Sequence, residues 1–579
     1  MRGRITILRI VYTLLVFVIV ARLFYWQILS RDKLQAIAEI QTNSTVEIPS
    51  RRGRILASDG FPLVTNQPNY LLFAYLPAIF ESAQEISEKI SPLISPNPED
   101  IGATPSAKIK EEIEMNTYYE VLEKLTSKKL AWVPLQRDLS EDKKQAVESL
   151  EINGLGFEAG QARLYPEASM SAQLTGFVGL NASGGQKGYF GLEGYYDLEL
   201  KGKSGFVRQE RDASGRPIVV GDYRETGVRD GRDLKTHIDR GVQLLVEKKL
   251  EKGMQKYGAK SGEVTIMDPK TGGIIAMASL PGYEQNKYKQ FESSLYKIPS
   301  ITDIYEPGST FKAFVMAMAL EEGVIEPDTK CDETCDGPVT IGKFTIHTAL
   351  KEYISNQTMM QTLEESDNTG MVFVAFKLGK ENFVKYLEKF GLNKPTGIDL
   401  EQEEVPIFRK KWGDIDLATG SFGQGLTTTS MHMLQAISAF ANEGVMMKPH
   451  IVREVIGTKN QVIKPRVVNQ IVSKETSEKI TKMLTSAVKV GLAEWMQPEG
   501  YKIAGKTGTA QVAISGHYDK DKTIASFIGF APADDPKFAM IVKLREPTSS
   551  PWASATAAPL WMEIAQDLFF HYGIPPSNN

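Results

Sequence analysis

Cysteine is nearly absent: Cys331 and Cys335 are the only two in 579 residues. Two are too few for a disulfide framework, and their spacing suits either a local disulfide or two free thiols in a structural role. A zinc site would need further ligands, and the six histidines are scattered. An excess of one charge is also missing. Lys and Arg number 67 against 71 Asp and Glu, a net of −4 with no dense basic run, so nothing provides a general attraction to nucleic acid. No internal repeat occurs. Glycines crowd residues 154–234, yet they form neither a G-x-G-x-x-G after a strand nor a Walker pattern. They read as a hinge or packing region, not a phosphate cradle. With 42% hydrophobic and 24% charged residues, the chain is globular in composition and long enough for three or four domains.

Only one hydrophobic run is long enough to span a bilayer. Ile5 to Leu29 is mostly apolar, with an uncharged stretch from Ile10 to Ala21, and roughly twenty residues suffice to cross. Arg9 and Arg22 can snorkel from its ends, and Tyr25 and Trp26 suit the headgroup region. Arg2, Arg4 and Arg9 on the N-terminal side predict a cytoplasmic N-terminus and an external body. A cleaved signal peptide is the rival reading, but no small-x-small site follows Ala21.

Beyond the run, Arg31 to Gln41 reads as a helix continuing outward, and Ser50 to Gly60 as a short strand meeting an Asp-Gly turn. Ala78 to Leu150 reads as charged helical segments broken by a Pro- and Ser-rich loop from Ser91-Pro92 to Pro105-Ser106, an inserted subdomain without chemistry. Val264 to Asp268 and Ile274 to Ala278 read as strands joined by the turn Pro269 to Gly273. Helices are expected between Ser309 and Asn442, strands at Tyr501–Val512, Thr523–Ala531 and Lys537–Leu544, and a closing helix from about Pro559 to His571. Strands at both ends with helices between predict one antiparallel sheet completed by distant parts of the chain.

Chemistry concentrates at Glu306-Pro307-Gly308-Ser309-Thr310-Phe311-Lys312. Pro307 and Gly308 break the preceding structure, and an apolar run from Ala313 to Leu320 follows until Gly323, which predicts a buried helix with Ser309 in its first turn. Ser309 and Lys312 then share a face. A hydroxyl beside free backbone N–H groups and the positive end of the dipole suits a reaction that develops an oxyanion. A lysine beside it can serve as base when burial or a nearby cation lowers its pKa. Ser-x-x-Lys alone is weak, because it also begins at Ser30, Ser140, Ser294 and Ser486, where a capped helix with a solvated lysine explains it. Two further elements supply the specificity: Ser366-Asp367-Asn368, and Lys506-Thr507-Gly508-Thr509 inside a strand. S-x-x-K, S-D-N and K-T-G in that order form a known serine acyl-transfer set. A second Lys-Thr-Gly at Lys270 to Gly272 lies on a hairpin tip, where it is turn chemistry.

With these three motifs in order, the chain resembles the class B penicillin-binding proteins, membrane-anchored peptidoglycan D,D-transpeptidases, over nearly its full length. Arg51 to Gly60 is similar to the family's Arg-Gly-x-Ile motif with its Asp-Gly turn. Arg163 to Pro166 and Gly191-Leu192-Glu193 are similar to its pedestal signatures. Thr236 to Asp239, Ser421 to Thr428 and Ser526 to Pro532 resemble segments flanking its active site. The resemblance implies an α+β fold in three parts: a cytoplasmic tip and transmembrane anchor over 1–30; an elongated, mixed, dimerisation-like pedestal over 31–235 with an inserted subdomain at about 76–150; and a penicillin-binding, serine β-lactamase-like transpeptidase domain over 236–579, an antiparallel sheet flanked by helices. No glycosyltransferase region is seen upstream, and no appended C-terminal repeats follow.

The resemblance also implies roles. Ser309 would attack the carbonyl between two terminal D-alanines, with Lys312 as base and Lys506 helping to keep it neutral. Ser366 would relay a proton to the leaving amine, and Asn368 would bond the substrate amide. Lys506, Thr507 and Thr509 would bind the terminal carboxylate, with Gly508 beside them in the substrate-binding set, and the backbone N–H groups of Ser309 and Thr509 would form the oxyanion hole. The expected partners are peptidoglycan stem peptides on nascent glycan strands, β-lactams, and a polytopic membrane glycosyltransferase; no cofactor or metal is expected. Asn368 to Val372 and Thr396 to Leu400 resemble the septal more than the elongation type. A D,D-carboxypeptidase would use the same motifs, but the pedestal and anchor fit it poorly. Glu401 to Glu404 does not match the E-x-x-L-N loop of class A β-lactamases. A non-enzymatic β-lactam sensor or divisome scaffold is the reading of a different class, against which the three intact motifs speak.

Overall fold

The structure is a computed structural model that describes every residue except 1, 35–42, 103, 128–129, 183–184, 211–222, 350, 408, 410, 515–516 and 577–579. Two units divide the chain, residues 1–52 with 201–231 and residues 53–200 with 232–579.

The first unit begins with an α-helix over Arg2–Phe24 that closes in a π-helical turn, Tyr25–Leu29. Gly3–Leu29 is long and apolar enough to cross a membrane. The Arg22 guanidinium lies over the Trp26 ring at 5.0 Å, a cation–π contact at the end of the apolar run. Helix resumes over residues 31–34, and the rest of the expected extension to Gln41 lies outside the described residues. Asn43–Ile48, Gly205–Glu210 and Tyr223–Thr226 form an antiparallel three-stranded sheet.

The second unit contains a seven-stranded sheet built on the long strand Pro62–Tyr75. One end of that strand pairs with Ile55–Leu56 across the expected turn, where Gly60 takes φ +92° and Asp59 accepts from Phe61 N. Ile55–Leu56 runs parallel to Asp233–Thr236, which in turn pairs with Val452–Ile456. A strand from late in the chain therefore completes a sheet begun near its start.

Residues 78–150 differ from expectation in two ways. The helix Ala83–Ile94 continues through Pro92. Ile86, Ile90 and Ile94 form one buried stripe while Pro92 is exposed, so the ring meets solvent and the apolar face is unbroken. Trp132–Leu139 is a strand, not helix. Val133 and Leu135 alternate inward while the strand pairs with the far half of Pro62–Tyr75, so a period of two overrides the local helical composition.

The glycine-dense region packs tightly. Arg163 is its hub: Nε donates to Glu193 Oε1 at 2.7 Å, Nη1 to Asn66 Oδ1 at 2.6 Å and Nη2 to the Gly53 carbonyl at 2.6 Å. Both charged side chains are buried, so each depends on the other. A Cβ on Gly53 would lie 1.9 Å from the Arg232 carbonyl, which explains the glycine after Arg52.

The central sheet has five antiparallel strands in the order Ile274–Leu280, Ser261–Met267, Phe538–Arg545, His517–Ala531 and Ala504–Ile514. Val264, Ile266, Met540 and Val542 face the helices Arg240–Tyr257 and Ala557–His571. Met267, Ile528, Ala539 and Ile541 face the buried helices Lys312–Glu321 and Ser430–Phe440. The expected strands and closing helix are all present, with the expected antiparallel pairing. Lys270 of the second Lys-Thr-Gly lies at the hairpin tip and pairs with Asp535 at 3.0 Å.

Candidate active site

The apolar run after Ser309 buries every side chain from Lys312 to Leu320, so the helix must lie inside the domain and carry its one lysine with it. Ser309 itself stands in a 3-10 turn, Gly308–Phe311, that feeds the α-helix Lys312–Glu321. A tighter turn replaces the expected first α-helical turn because Gly308 enters with φ +59° and Thr310 Oγ1 donates to the Pro307 carbonyl at 2.9 Å. Residues 421–428 brace this turn. Gly308 N donates to Gly423 O at 3.1 Å, Gly425 N to Glu306 Oε1 at 3.1 Å, and Tyr305 pairs with Thr428. A Cβ on Gly423 would sit 2.0 Å from the Gly308 carbonyl.

The three motifs converge. Lys312 Nζ donates to the Ser366 carbonyl at 2.5 Å and to Ser366 Oγ at 3.2 Å. Ser366 adopts φ +55°, a left-handed conformation that costs about 1–3 kcal/mol for a non-glycine and is found where a site over-determines it. Asp367 caps the helix Asn368–Leu378, accepting at Oδ1 from Thr369 N, Thr369 Oγ1 and Gly370 N. Asn368 Nδ2 donates to the His347 carbonyl at 2.9 Å. Lys506, Thr507, Gly508 and Thr509 lie on the edge strand Ala504–Ile514, against the Ser309 turn. A Cβ on Gly508 would meet Thr310 Cγ2 at 2.7 Å and Pro307 O at 2.9 Å, so only glycine lets strand and turn approach. Thr509 Oγ1 accepts from Ala553 N at 3.1 Å, and Lys506 Nζ approaches Thr507 Oγ1 at 3.4 Å. The Lys312 backbone N–H donates to the Ser309 carbonyl, but among the described residues no side-chain hydrogen bond joins Ser309 Oγ to the Lys312 amine, which is engaged by Ser366. Catalytic contacts of this kind commonly tighten only when substrate binds.

Electrostatics single out the two lysines. Lys312 is wholly buried, and its pKa lies well below the usual lysine range. Burial is the main cause and the charge of Lys506 the second, with Asp367 opposing them. Lys506 is 5% exposed, and burial lowers its pKa to about 8. At neutral pH one amine can therefore be neutral while the other stays charged.

Sequence reasoning left one support open and missed others. Cys331 and Cys335 form a disulfide, one of the two alternatives their spacing allowed. Gln357, buried, donates to both Cys335 Sγ and Asp367 Oδ2. Glu263 and Lys543 form a buried pair at 2.9 Å. They lie in one register row, Glu263–Lys543–Ser526–Gly508, that crosses the sheet to the active-site strand. A charge inside each apolar strand was the only signal, and it does not identify the partner. Of the other Ser-x-x-Lys matches, Ser140 caps a helix through Lys143 N as expected, while the Lys143 amine, expected to be solvated, donates to the Ser95 carbonyl at 2.7 Å.

Comparison with known proteins agrees with this geometry. The penicillin binding protein transpeptidase domain matches residues 262–566, and the penicillin-binding protein dimerisation domain matches residues 47–236. Stage V sporulation protein D of Bacillus subtilis (strain 168) is 32% identical over 98% of this chain and 86% of its own length. Peptidoglycan D,D-transpeptidase FtsI of Escherichia coli (strain K12) is 26% identical, over 96% and 90%. Penicillin binding protein 2X from Streptococcus thermophilus shares the fold at a TM-score of 0.74 and 22% identity, covering 91% of this chain and 80% of that one. The chain belongs to the class B penicillin-binding proteins, the peptidoglycan D,D-transpeptidase family.

Proposed function

We propose that Ser309 is the nucleophile of a D,D-transpeptidase and that Lys312 is its base. The observation that carries this is the Lys312 amine, buried and depressed in pKa one turn from Ser309. Ser309 Oγ attacks the carbonyl carbon of the penultimate D-Ala while its proton passes to neutral Lys312. The tetrahedral oxyanion is held by the backbone N–H groups of Ser309 and Thr509, where losing one such donor costs about a hundredfold or more. Lys312 returns the proton through Ser366 Oγ to the departing D-Ala nitrogen, and an ester remains on Ser309. An amine of a second stem peptide attacks that ester, gives up a proton by the same route, and leaves as the cross-linked amide. Asn368 bonds the substrate backbone, and Lys506, Thr507, Gly508 and Thr509 hold the terminal carboxylate.

The membrane helix, with Arg2, Arg4 and Arg9 before it, supports a cytoplasmic N-terminus and an external catalytic domain. We divide the chain into an anchor over 1–30, a pedestal over 31–235 with an insertion at about 76–150, and a transpeptidase domain over 236–579. The anchor and pedestal suit a polytopic glycosyltransferase partner that supplies nascent strands. A septal role is favoured over an elongation role by Asn368 to Val372 and Thr396 to Leu400. The 32% identity to a sporulation protein, against 26% to FtsI, favours a second reading, cross-linking specific to sporulation.

Fluorescent penicillin labelling tests the chemistry. Labelling that persists, is lost in Ser309→Ala and is kept in Ser140→Ala is expected. Rapid release of the label would indicate hydrolysis, and labelling retained by Ser309→Ala would rule out this nucleophile.

A further inference from the structure

The Ser366 turn is held from below by a residue outside all three motifs. Gln357 is 1% exposed. Its side-chain amide donates to Asp367 Oδ2 at 2.9 Å and to Cys335 Sγ at 3.2 Å. Its carbonyl accepts from Cys331 N at 2.9 Å, so the Cys331–Cys335 disulfide grips it at both the backbone and the side chain. Gln357 Oε1 is buried without a hydrogen-bond partner. Flipping the amide would not relieve that atom, because it would turn a carbonyl oxygen toward the Asp367 carboxylate. The position thus tolerates an orphan acceptor in order to keep a donor on Asp367, which marks the donor as the part that matters.

What the donor holds is the start of the Asn368 helix. Asp367 Oδ1 takes three donors there, and Oδ2 takes Gln357. With the carboxylate fixed on both oxygens, the chain before it is committed to the left-handed turn at Ser366, whose carbonyl and hydroxyl receive Lys312 Nζ.

We propose that Gln357 is a positioning residue of the transpeptidase reaction: clamped by the disulfide, it fixes Asp367 and through it the Ser366 turn that engages Lys312. The inference rests on the reading of Ser309 and Lys312 as nucleophile and base. The charged groups acting on Lys312 are Lys506, from the edge strand, and Asp367, from the loop before the Asn368 helix. Removing the donor from Asp367 leaves its negative charge less satisfied and stabilises protonated Lys312, so acylation requires a higher pH.

The test uses the full chain in detergent and follows acylation by fluorescent penicillin to its end point across pH, so that misfolded molecules drop out of the rate constant. Gln357→Met, similar in size but without a donor, is expected to slow acylation at neutral pH about tenfold and to move the acidic limb upward by about one pH unit. Gln357→Glu, whose buried carboxyl beside Asp367 holds a proton and so keeps a donor on that carboxylate, is expected to leave the limb closer to its wild-type position. An unchanged rate and limb in Gln357→Met, or the same shift in Gln357→Glu as in Gln357→Met, would overturn the proposal. So would a loss of thermal stability with the acidic limb unmoved, since that is a purely structural role. Ser309→Ala run in parallel separates the two claims: if it still acylates, the nucleophile reading fails; if it does not, the Gln357 result stands alone.

Discussion

Lys506 and Lys312 are two buried amines to which the proposed mechanism gives opposite duties, and with those duties their pKa values would set a window for catalysis. Lys312 must be neutral to accept the Ser309 proton, so acylation rises as pH climbs through its depressed pKa. Lys506 must stay charged to hold a carboxylate, so activity falls as pH passes about 8. A bell-shaped profile with its alkaline limb near that value is expected from acylation rates measured across pH. The same group makes a stability prediction. Its pKa is about 8 when folded, against 10.5 as the model value. Below the folded value both states carry the proton, and folding bears the full cost of burying it. Between the two values the unfolded chain holds a proton that the folded one has released, so stability rises with pH by roughly 3 kcal/mol in total. Lys506→Met is therefore expected to abolish acylation and yet raise the melting temperature at neutral pH. Residues with a chemical pattern were legible in the sequence: Ser309, Lys312, Ser366, Asn368 and Lys506 announce themselves by spacing. Gln357 did not, because its partners Cys335 and Asp367 are contacts of the folded chain and not a motif.

At the scale of elements, the site depends on a strand pressed against a turn. Gly508 and Gly423 permit that approach, and a Cβ on Gly423 would strike the backbone of Gly308. Gly423 also has φ +77°, so Gly423→Ala is strained by conformation as well as by contact. Acylation lowered at least tenfold, with the far-UV circular dichroism unchanged, is the expected outcome, about 1.4 kcal/mol or more of transition-state stabilisation. Beneath the same sheet, Glu263 is 1% exposed and accepts from Lys543, Ser430 and Ser300. Lys543→Met leaves that carboxylate unpaired, which should destabilise the fold by about 3–5 kcal/mol in denaturant titrations, with much of the loss recovered in Glu263→Gln/Lys543→Met. The central strands were readable where a short apolar stretch is bounded by turn residues, as in Ile274–Leu280 and Phe538–Arg545, and the active-site strand Ala504–Ile514 through the Lys-Thr-Gly motif inside it. Trp132–Leu139 was not, because two inward residues inside a charged stretch are a faint signal until the Pro62–Tyr75 strand lies beside them.

At the scale of the whole molecule, anchoring and chemistry use separate residues. The helix over Gly3–Leu29 carries the length and apolarity for a membrane crossing, while all three motifs lie beyond residue 300. Removing residues 1–30 is expected to release the protein from detergent dependence with the acylation rate constant unchanged. Arg163→Ala should lower the melting temperature by removing a charged partner from buried Glu193, again without changing that constant per folded molecule.

The most direct measurement is D-Ala release from a stem peptide ending in D-Ala–D-Ala, with peptide mapping of the trapped ester. The account predicts release by the wild-type chain, an adduct on Ser309 that accumulates when the acceptor amine is withheld, and neither in Ser309→Ala. Release that survives in Ser309→Ala, or an adduct on any other residue, would contradict it.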